Sequence, residues 1–264
     1  MVGERVGCGG ATPGLFTGNR IGGHMDEREW FDRLDSTAED PPGLFEHFER
    51  RSAAGYTYHA LPDARHGVER GTVVVEGDDT GADAVVRGYP SVPRVLALDA
   101  GVTSFFEAGE TVAVEEKLDG FNARIADVGE PLAFTRSGYV CPYTTARARG
   151  LLDLETFFAD HPERMLCIEL VGPETPYTTH EYEGVDSHAF RVFGVRDRES
   201  GASLPVSARR DLCAAYELPQ PRLFGQYEAS GAVEGVRAAI EELDAAGREG
   251  VVMKSADGES MVKY

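Results

Sequence analysis

The sequence predicts an α+β fold of antiparallel sheets flanked by helices, with a small N-terminal region. Short apolar runs of strand length follow one another between Gly, Pro and Asp breaks. Helical patterns are interspersed among them without the strand–helix alternation of a parallel, doubly wound sheet, and no internal repeat is present. With 264 residues and 42% apolar content, the chain has ample material for a core.

Residues 1–24 are glycine-rich and show neither period, which predicts a disordered leader or an over-extended start with Met25 as initiator. A region at 25–87 precedes the main domain at 88–264. From Asp26 to about Arg51 the apolar spacing is helical (Trp30, Phe31, Leu34, then Leu44, Phe45, Phe48), broken at Pro41-Pro42. Short strands are expected at Thr72–Glu76, Ala84–Arg87 and Val95–Leu98. Val112–Leu118, Asn122–Val128 and Leu132–Thr135 read as three consecutive antiparallel strands. A single helix is expected over Ala146–Phe158, buried strands at Met165–Val171 and Ala189–Arg196, and helices near Ser207–Tyr216 and Val233–Ala246. Gly250–Lys254 and Met261–Tyr264 are the last strands.

No apolar run approaches the length of a membrane helix and no signal-peptide pattern opens the chain, so a cytoplasmic protein with no membrane contact is expected. The four cysteines are scattered without metal-ligand spacing, which speaks against a zinc site or a disulfide framework. Formal net charge is −19, and only three of the 26 basic residues are lysine. Such a surface suits a cytosol of concentrated salt, where carboxylate repulsion is screened; GC-rich coding is the competing account of the arginine excess. Either way lysine is nearly eliminated. The survivors Lys117, Lys254 and Lys263 therefore mark positions where arginine fails, and a guanidinium cannot serve as a nucleophile.

Each lysine sits in a distinctive segment. Lys117 opens Lys-Leu-Asp-Gly at the end of an apolar strand, Lys254 ends Glu-Gly-Val-Val-Met-Lys, and Lys263 lies in Met-Val-Lys-Tyr. Any one of these is only a lead. Phe-Thr-Arg-Ser-Gly (134–138), Cys-Ile-Glu-Leu-Val-Gly-Pro-Glu-Thr-Pro-Tyr (167–177) and Phe-Arg-Val-Phe-Gly-Val-Arg-Asp (190–197) follow in order. Glu169 lies within an apolar strand, where an acid needs a partner; an internal salt bridge with one of the arginines is the alternative to a functional role.

Together with Gly-Tyr-Pro-Ser-Val-Pro-Arg-Val-Leu (88–96), these ordered segments resemble the motifs of covalent nucleotidyltransferases, the superfamily of ATP-dependent ligases and capping enzymes. The resemblance is strongest to archaeal ATP-dependent RNA ligases, here of haloarchaeal type. RNA ligases tend to carry asparagine two residues after the K-x-D-G glycine, where DNA ligases and capping enzymes usually have arginine; this chain has Asn122.

The resemblance implies that Lys117 attacks the α-phosphorus of ATP to form lysyl-AMP, then passes AMP to an RNA 5′-phosphate for sealing to a 3′-hydroxyl. It implies that Lys254 and Lys263 favour the neutral Lys117 amine and hold the α-phosphate, and that Glu249 binds Mg²⁺ or Mn²⁺. Glu169 is expected on the ribose hydroxyls, Phe193 on the purine, and Glu115 or its backbone near the adenine amine. Arg136 and Asn122 are expected near the nucleotide and the nucleic-acid end, Arg124 more weakly so, with Asp119 and Gly120 shaping the lysine turn.

Two features depart from the family. Archaeal RNA ligases continue beyond the last motif, which here meets Tyr264, so the chain reads as lacking the C-terminal region and any homodimer as requiring that region. The net charge also repels a polyanion, so RNA binding is expected to use a local patch such as Arg147, Arg149, Arg209 and Arg210. The alternatives are a DNA ligase, a capping-type enzyme, or a truncated non-catalytic nucleotide-binding protein.

Overall fold

The computed structural model describes residues 27–77, 83–175, 178 and 180–264; the predicted leader at 1–24 lies outside the described residues. Among the described residues, twelve strands form three four-stranded sheets, every ladder antiparallel. The N-terminal sheet runs in sequence order: β1 (Glu49–Ala53), β2 (Tyr56–Ala60), β3 (Val73–Val75) and β4 (Ala84–Val86). Helices α1 (Glu27–Leu34) and α2 (Pro41–Phe45) cover one face, where Trp30, Leu34, Leu44 and Phe45 bury Val74 and Val85. Asp40 caps α2 by accepting from the Gly43 amide at 2.9 Å. The helical pattern predicted as far as Arg51 stops short because Glu49–Ala53 pair instead with β2.

A second sheet has the order β7-β6-β8-β9: β6 is Phe121–Asp127, β7 Pro131–Thr135, β8 Arg164–Val171 and β9 Ala189–Asp197. One face contributes Ala126, Leu132, Phe134, Met165 and Cys167 to a core shared with Tyr58, Val73 and Val75 of the N-terminal sheet. Its other face is covered by α4 (Pro142–Leu151), α5 (Leu154–Asp160) and α6 (Val206–Ala215). Fully buried side chains such as Phe134, Phe157 and Phe190 each contribute about 1.5–3 kcal/mol of burial free energy. The single helix predicted over 146–158 is two helices. Asp153 separates them, its carboxylate accepting from the Thr156 amide at 3.2 Å to cap α5.

The third sheet is ordered β10-β5-β11-β12: β5 is Thr111–Lys117, β10 Leu223–Glu228, β11 Gly250–Ser255 and β12 Met261–Lys263. It is backed by α3 (Leu98–Phe105) and α7 (Ala232–Ala245). The strand predicted at Val95–Leu98 is a single parallel bridge of Arg94 to Lys263, after which Leu98 starts α3. Val95, Leu98 and Val102 then meet one core at helix-compatible spacing. Strand β10 escapes sequence reading because its residues are half-buried or exposed.

The three strands predicted to pair consecutively divide between sheets. β6 and β7 pair, but β5 belongs to the third sheet. Leu118-Asp119-Gly120 carry the chain from one sheet to the other. Gly120 is required there, since a Cβ would collide with the Leu170 carbonyl of β8. The crossing places the end of β5 against the face of the second sheet.

Candidate active site

A cleft of about 210 Å³ opens where these sheets meet. Lys117, Lys254, Lys263, Glu115, Asn122, Arg136, Glu169 and Phe193 all line it, together with Tyr89, Val92 and Pro221. Strand alternation explains the lysine side. Val112 and Val114 face the core under α3 and α7, so Glu115 and Lys117 emerge on the opposite face.

Lys117 forms an ion pair with Glu249, the residue before its register partner Gly250. Gly250 holds φ at 145°, and a Cβ there would strike the Tyr264 carbonyl, so the backbone leading to Glu249 depends on glycine. Lys263 comes from β12, opposite Val252. Burial, followed by the Lys117, Arg94 and Arg136 charges, lowers its pKa.

Lys254 is 5% exposed. It donates to Glu115 Oε2 at 2.8 Å and to the Phe193 carbonyl at 2.7 Å. Arg209 also donates to both residues, and Arg210 reaches Glu115 at 3.0 Å. Burial acts to raise the Glu115 carboxyl, but Lys254 and Arg209 outweigh it and hold the pKa down at about 2. The Phe193 carbonyl is available because Cys167 faces Gly194 and Ile168 faces Val192, leaving Phe193 as the extra residue of a β-bulge. Bulges re-aim side chains. Here the half-buried ring lines the cleft, with Tyr89 edge-on at 5.2 Å and Lys254 at 5.8 Å from its centroid.

Asn122 and Glu169 are register partners on β6 and β8, and the Asn122 amide donates to the carboxyl at 3.3 Å. Among the described residues, no arginine forms a salt bridge with Glu169. Burial pushes its pKa up to about 8, against the smaller pull of Asn122 and Lys117. A neutral carboxyl can donate as well as accept a hydrogen bond, which suits a hydroxyl-bearing ligand.

A profile of the RNA ligase family matches residues 110–264, more than half of the chain. The chain belongs to the RNA ligase family. Two solved structures of an archaeal ATP-dependent RNA ligase, form 1 and form 2, are similar to this chain. Form 1 has a TM-score of 0.83 and 37% identity, covering 91% of this chain and 64% of that one. Form 2 has a TM-score of 0.76 and 41% identity, with 81% and 57% covered. A putative ATP-dependent DNA ligase from Aquifex aeolicus has a TM-score of 0.73 and 30% identity, with 83% and 59% covered. An uncharacterised protein of Methanocaldococcus jannaschii is 40% identical over 204 residues, which are 75% of this chain and 50% of that protein. The chain thus spans half the length of that curated relative and less than two thirds of each of these ligase chains.

Tertiary contacts engage several of the residues singled out in this RNA ligase family chain. Glu115, whose carboxylate or backbone is expected near the adenine amine, lines the cleft, and its carboxylate is 1% exposed and bound by Lys254, Arg209 and Arg210. Arg124 is also buried and donates to the Arg87, Gly71 and Thr135 carbonyls, tying β6 to the N-terminal sheet. The four arginines expected to form a basic patch, Arg147, Arg149, Arg209 and Arg210, each have a partner within the chain. Arg209 and Arg210 are held on Glu115, Arg149 pairs with Glu130 at 2.6 Å, and Arg147 lies over Tyr143. In a chain this acidic, most arginines meet a nearer carboxylate first.

Support for the lysine turn escaped the sequence. His180 Nδ1 meets Asp119 Oδ2 at 2.6 Å, and the Tyr182 hydroxyl accepts from the Asp119 amide at 2.7 Å. Arg248 lies 3.8 Å over the Tyr182 ring and pairs with Glu116 at 2.7 Å. The only signal for this cluster is an unusual density of polar and aromatic residues at 178–183. Pro176 and Tyr177, which end the Glu169 motif, lie outside the described residues.

Proposed function

We propose that this chain performs the nucleotidyl transfer of an ATP-dependent RNA ligase. The observation that carries this reading is convergence: the chain has three lysines, and all three line one cleft. Arginine outnumbers lysine 23 to three, so chance placement explains that poorly. In the proposed reaction the Lys117 amine, having given its proton to water, attacks the α-phosphorus of ATP. A P–N bond forms, and the bond to the β-phosphate breaks with its electron pair leaving on pyrophosphate. Lys263 and Lys254 counter the charge redistributed onto the phosphate oxygens, while Phe193 takes the purine and Glu169 the ribose hydroxyls. AMP then passes to an RNA 5′-phosphate, which a 3′-hydroxyl attacks.

Glu249 is the carboxylate that fits a divalent cation beside the α-phosphate. Among the described residues no group of three or more His, Cys, Asp or Glu gathers as a metal site. Mg²⁺ and related hard ions are commonly held by one or two carboxylates plus substrate phosphates, and Glu249 with the nucleotide supplies such a set. The bound ion would neutralise phosphate charge.

Asn122 and the similarity to the archaeal RNA ligase favour RNA ends, while the Aquifex relative keeps DNA ends as the second reading. The acidic, lysine-poor composition supports a salt-rich cytoplasm as the working environment. No helix among the described residues is long and apolar enough to cross a membrane. Incubation with α-labelled ATP and Mg²⁺ in molar KCl, followed by denaturing electrophoresis, tests the first step. Absence of covalent label would end the proposal, and RNA and DNA 5′-phosphate acceptors then separate the two readings.

A further inference from the structure

The turn after β7 brings Arg136 to the cleft, and the residues on both sides of Arg136 are held by the N-terminal sheet. The Ser137 hydroxyl accepts from Arg70 Nη2 at 2.7 Å, and Arg70 Nε is itself fixed on the Pro62 carbonyl at 2.9 Å. The Tyr139 hydroxyl donates to Glu49 of β1 at 3.0 Å, with the Arg51 guanidinium 4.7 Å from the centre of its ring. The Val140 amide donates to the Tyr58 hydroxyl of β2 at 3.2 Å. Beneath the turn, Arg124 joins the Thr135 carbonyl to those of Gly71 and Arg87. Gly71 holds φ at 86° and lies so close that a Cβ there would collide with the Arg136 carbonyl. Within the turn, Thr135 accepts from the Gly138 and Tyr139 amides, which closes its shape locally. Where the turn sits is set by the sheet. The same sheet also delivers a second wall of the cleft, since Thr72 Oγ1 accepts from the Gly88 amide at 3.0 Å and Tyr89 follows.

We infer that the N-terminal sheet is a mount for the Arg136 turn, and that Arg70, acting through Ser137, is a positioning residue for Arg136 in the cleft. This rests on the ligase reading above, which places Arg136 near the nucleotide and the nucleic-acid end. Fixing a group in place before reaction removes orientational freedom, and a misplacement of about 1 Å can cost orders of magnitude in rate. Arg70 is exposed, and one hydrogen bond at the surface adds little to folding. Its effect therefore belongs in the rate of the step Arg136 serves.

The test is a double-variant cycle in molar KCl, with Arg70→Ala, Arg136→Ala and the two together, read in lysyl-AMP formation and in AMP transfer to an RNA 5′-phosphate. Arg70→Ala is expected to slow the step that Arg136→Ala slows, by about tenfold, with a melting temperature within about 3 °C of the parent. In the Arg136→Ala background it should cost less than about twofold. Arg70→Lys, which keeps a donor for Ser137, should recover most of the rate. Hydrogen exchange at the Gly138, Tyr139 and Val140 amides should quicken about fivefold in Arg70→Ala. Rates within about twofold of the parent, or a loss that adds in full to that of Arg136→Ala, overturn the inference. Unchanged exchange also overturns it. If the parent forms no lysyl-AMP, the ligase reading fails, and exchange alone decides whether the mount stands.

Discussion

Lys117 and Glu249 are joined as an ion pair across the β5–β11 ladder, with Glu249 one residue before the register partner of Lys117. The nucleophile proposed for the reaction is thereby stored against the carboxylate proposed to hold the metal. Entry of ATP and a divalent ion would supply Glu249 with a new partner and release the amine. The two residues are expected to act as a unit, so the double variant should be little worse than the poorer single one.

Lys117→Arg should abolish covalent AMP labelling and leave the melting temperature within about 3 °C, because charge persists and the nucleophile is lost. Labelling by this variant would remove Lys117 from the reaction.

Glu249→Ala and Lys254→Ala should each slow lysyl-AMP formation by about 100-fold or more, since both are proposed to act on the reacting phosphate. Single-turnover labelling at saturating ATP and Mg²⁺ measures this. Rates within about threefold of the parent, roughly 0.7 kcal/mol of barrier, would contradict those roles.

Glu115→Gln should destabilise the fold by about 3–5 kcal/mol, because it leaves Lys254 and Arg209 short of a buried counter-charge. The depressed carboxyl contributes stability above the ordinary value of 4.5, and that contribution is lost as pH falls toward about 2. Urea melts from pH 3 to 7 should therefore lose their dependence on this group in Glu115→Gln. A cost below about 1 kcal/mol would show that water replaces the carboxylate.

Glu169 has the opposite sign. Its folded-state value of about 8 lies above the ordinary 4.5, so its stabilising contribution is complete below pH 4.5 and disappears as pH rises through 8. Glu169→Gln should remove that decline while weakening ATP binding. Thermal melts between pH 5 and 9 should converge at low pH and separate in favour of the variant at high pH; parallel curves would refute the assignment.

The melting temperature should rise between dilute buffer and molar KCl, since a net charge of −19 repels itself when unscreened. A midpoint indifferent to salt would leave GC-rich coding as the account of the arginine excess.

Much of the candidate site was legible in the sequence because the chemistry proposed for it demands rare residue types at local spacings. Lys117, Asn122, Arg136, Glu169, Phe193, Lys254 and Lys263 stand in short segments, and the structure brings all of them to one cleft. The antiparallel α+β class was also legible, since apolar alternation and turn residues act over a few neighbours.

The tertiary structure alone decided which sheet each strand joins and where each charge finds its partner. Leu118-Asp119-Gly120 could equally have closed a hairpin; close packing of Gly120 on Leu170 instead accompanies the crossing between sheets. The sequence segment containing Phe193 carries no mark of its bulge, which depends on the opposing register of β8. Glu115 and Arg209 are 94 positions apart, and no local pattern could announce their contact. Local spacing encodes backbone period and side-chain chemistry. Pairing register, burial and counter-charge depend on residues distant along the chain, and these made Arg209 a buried clamp on Glu115.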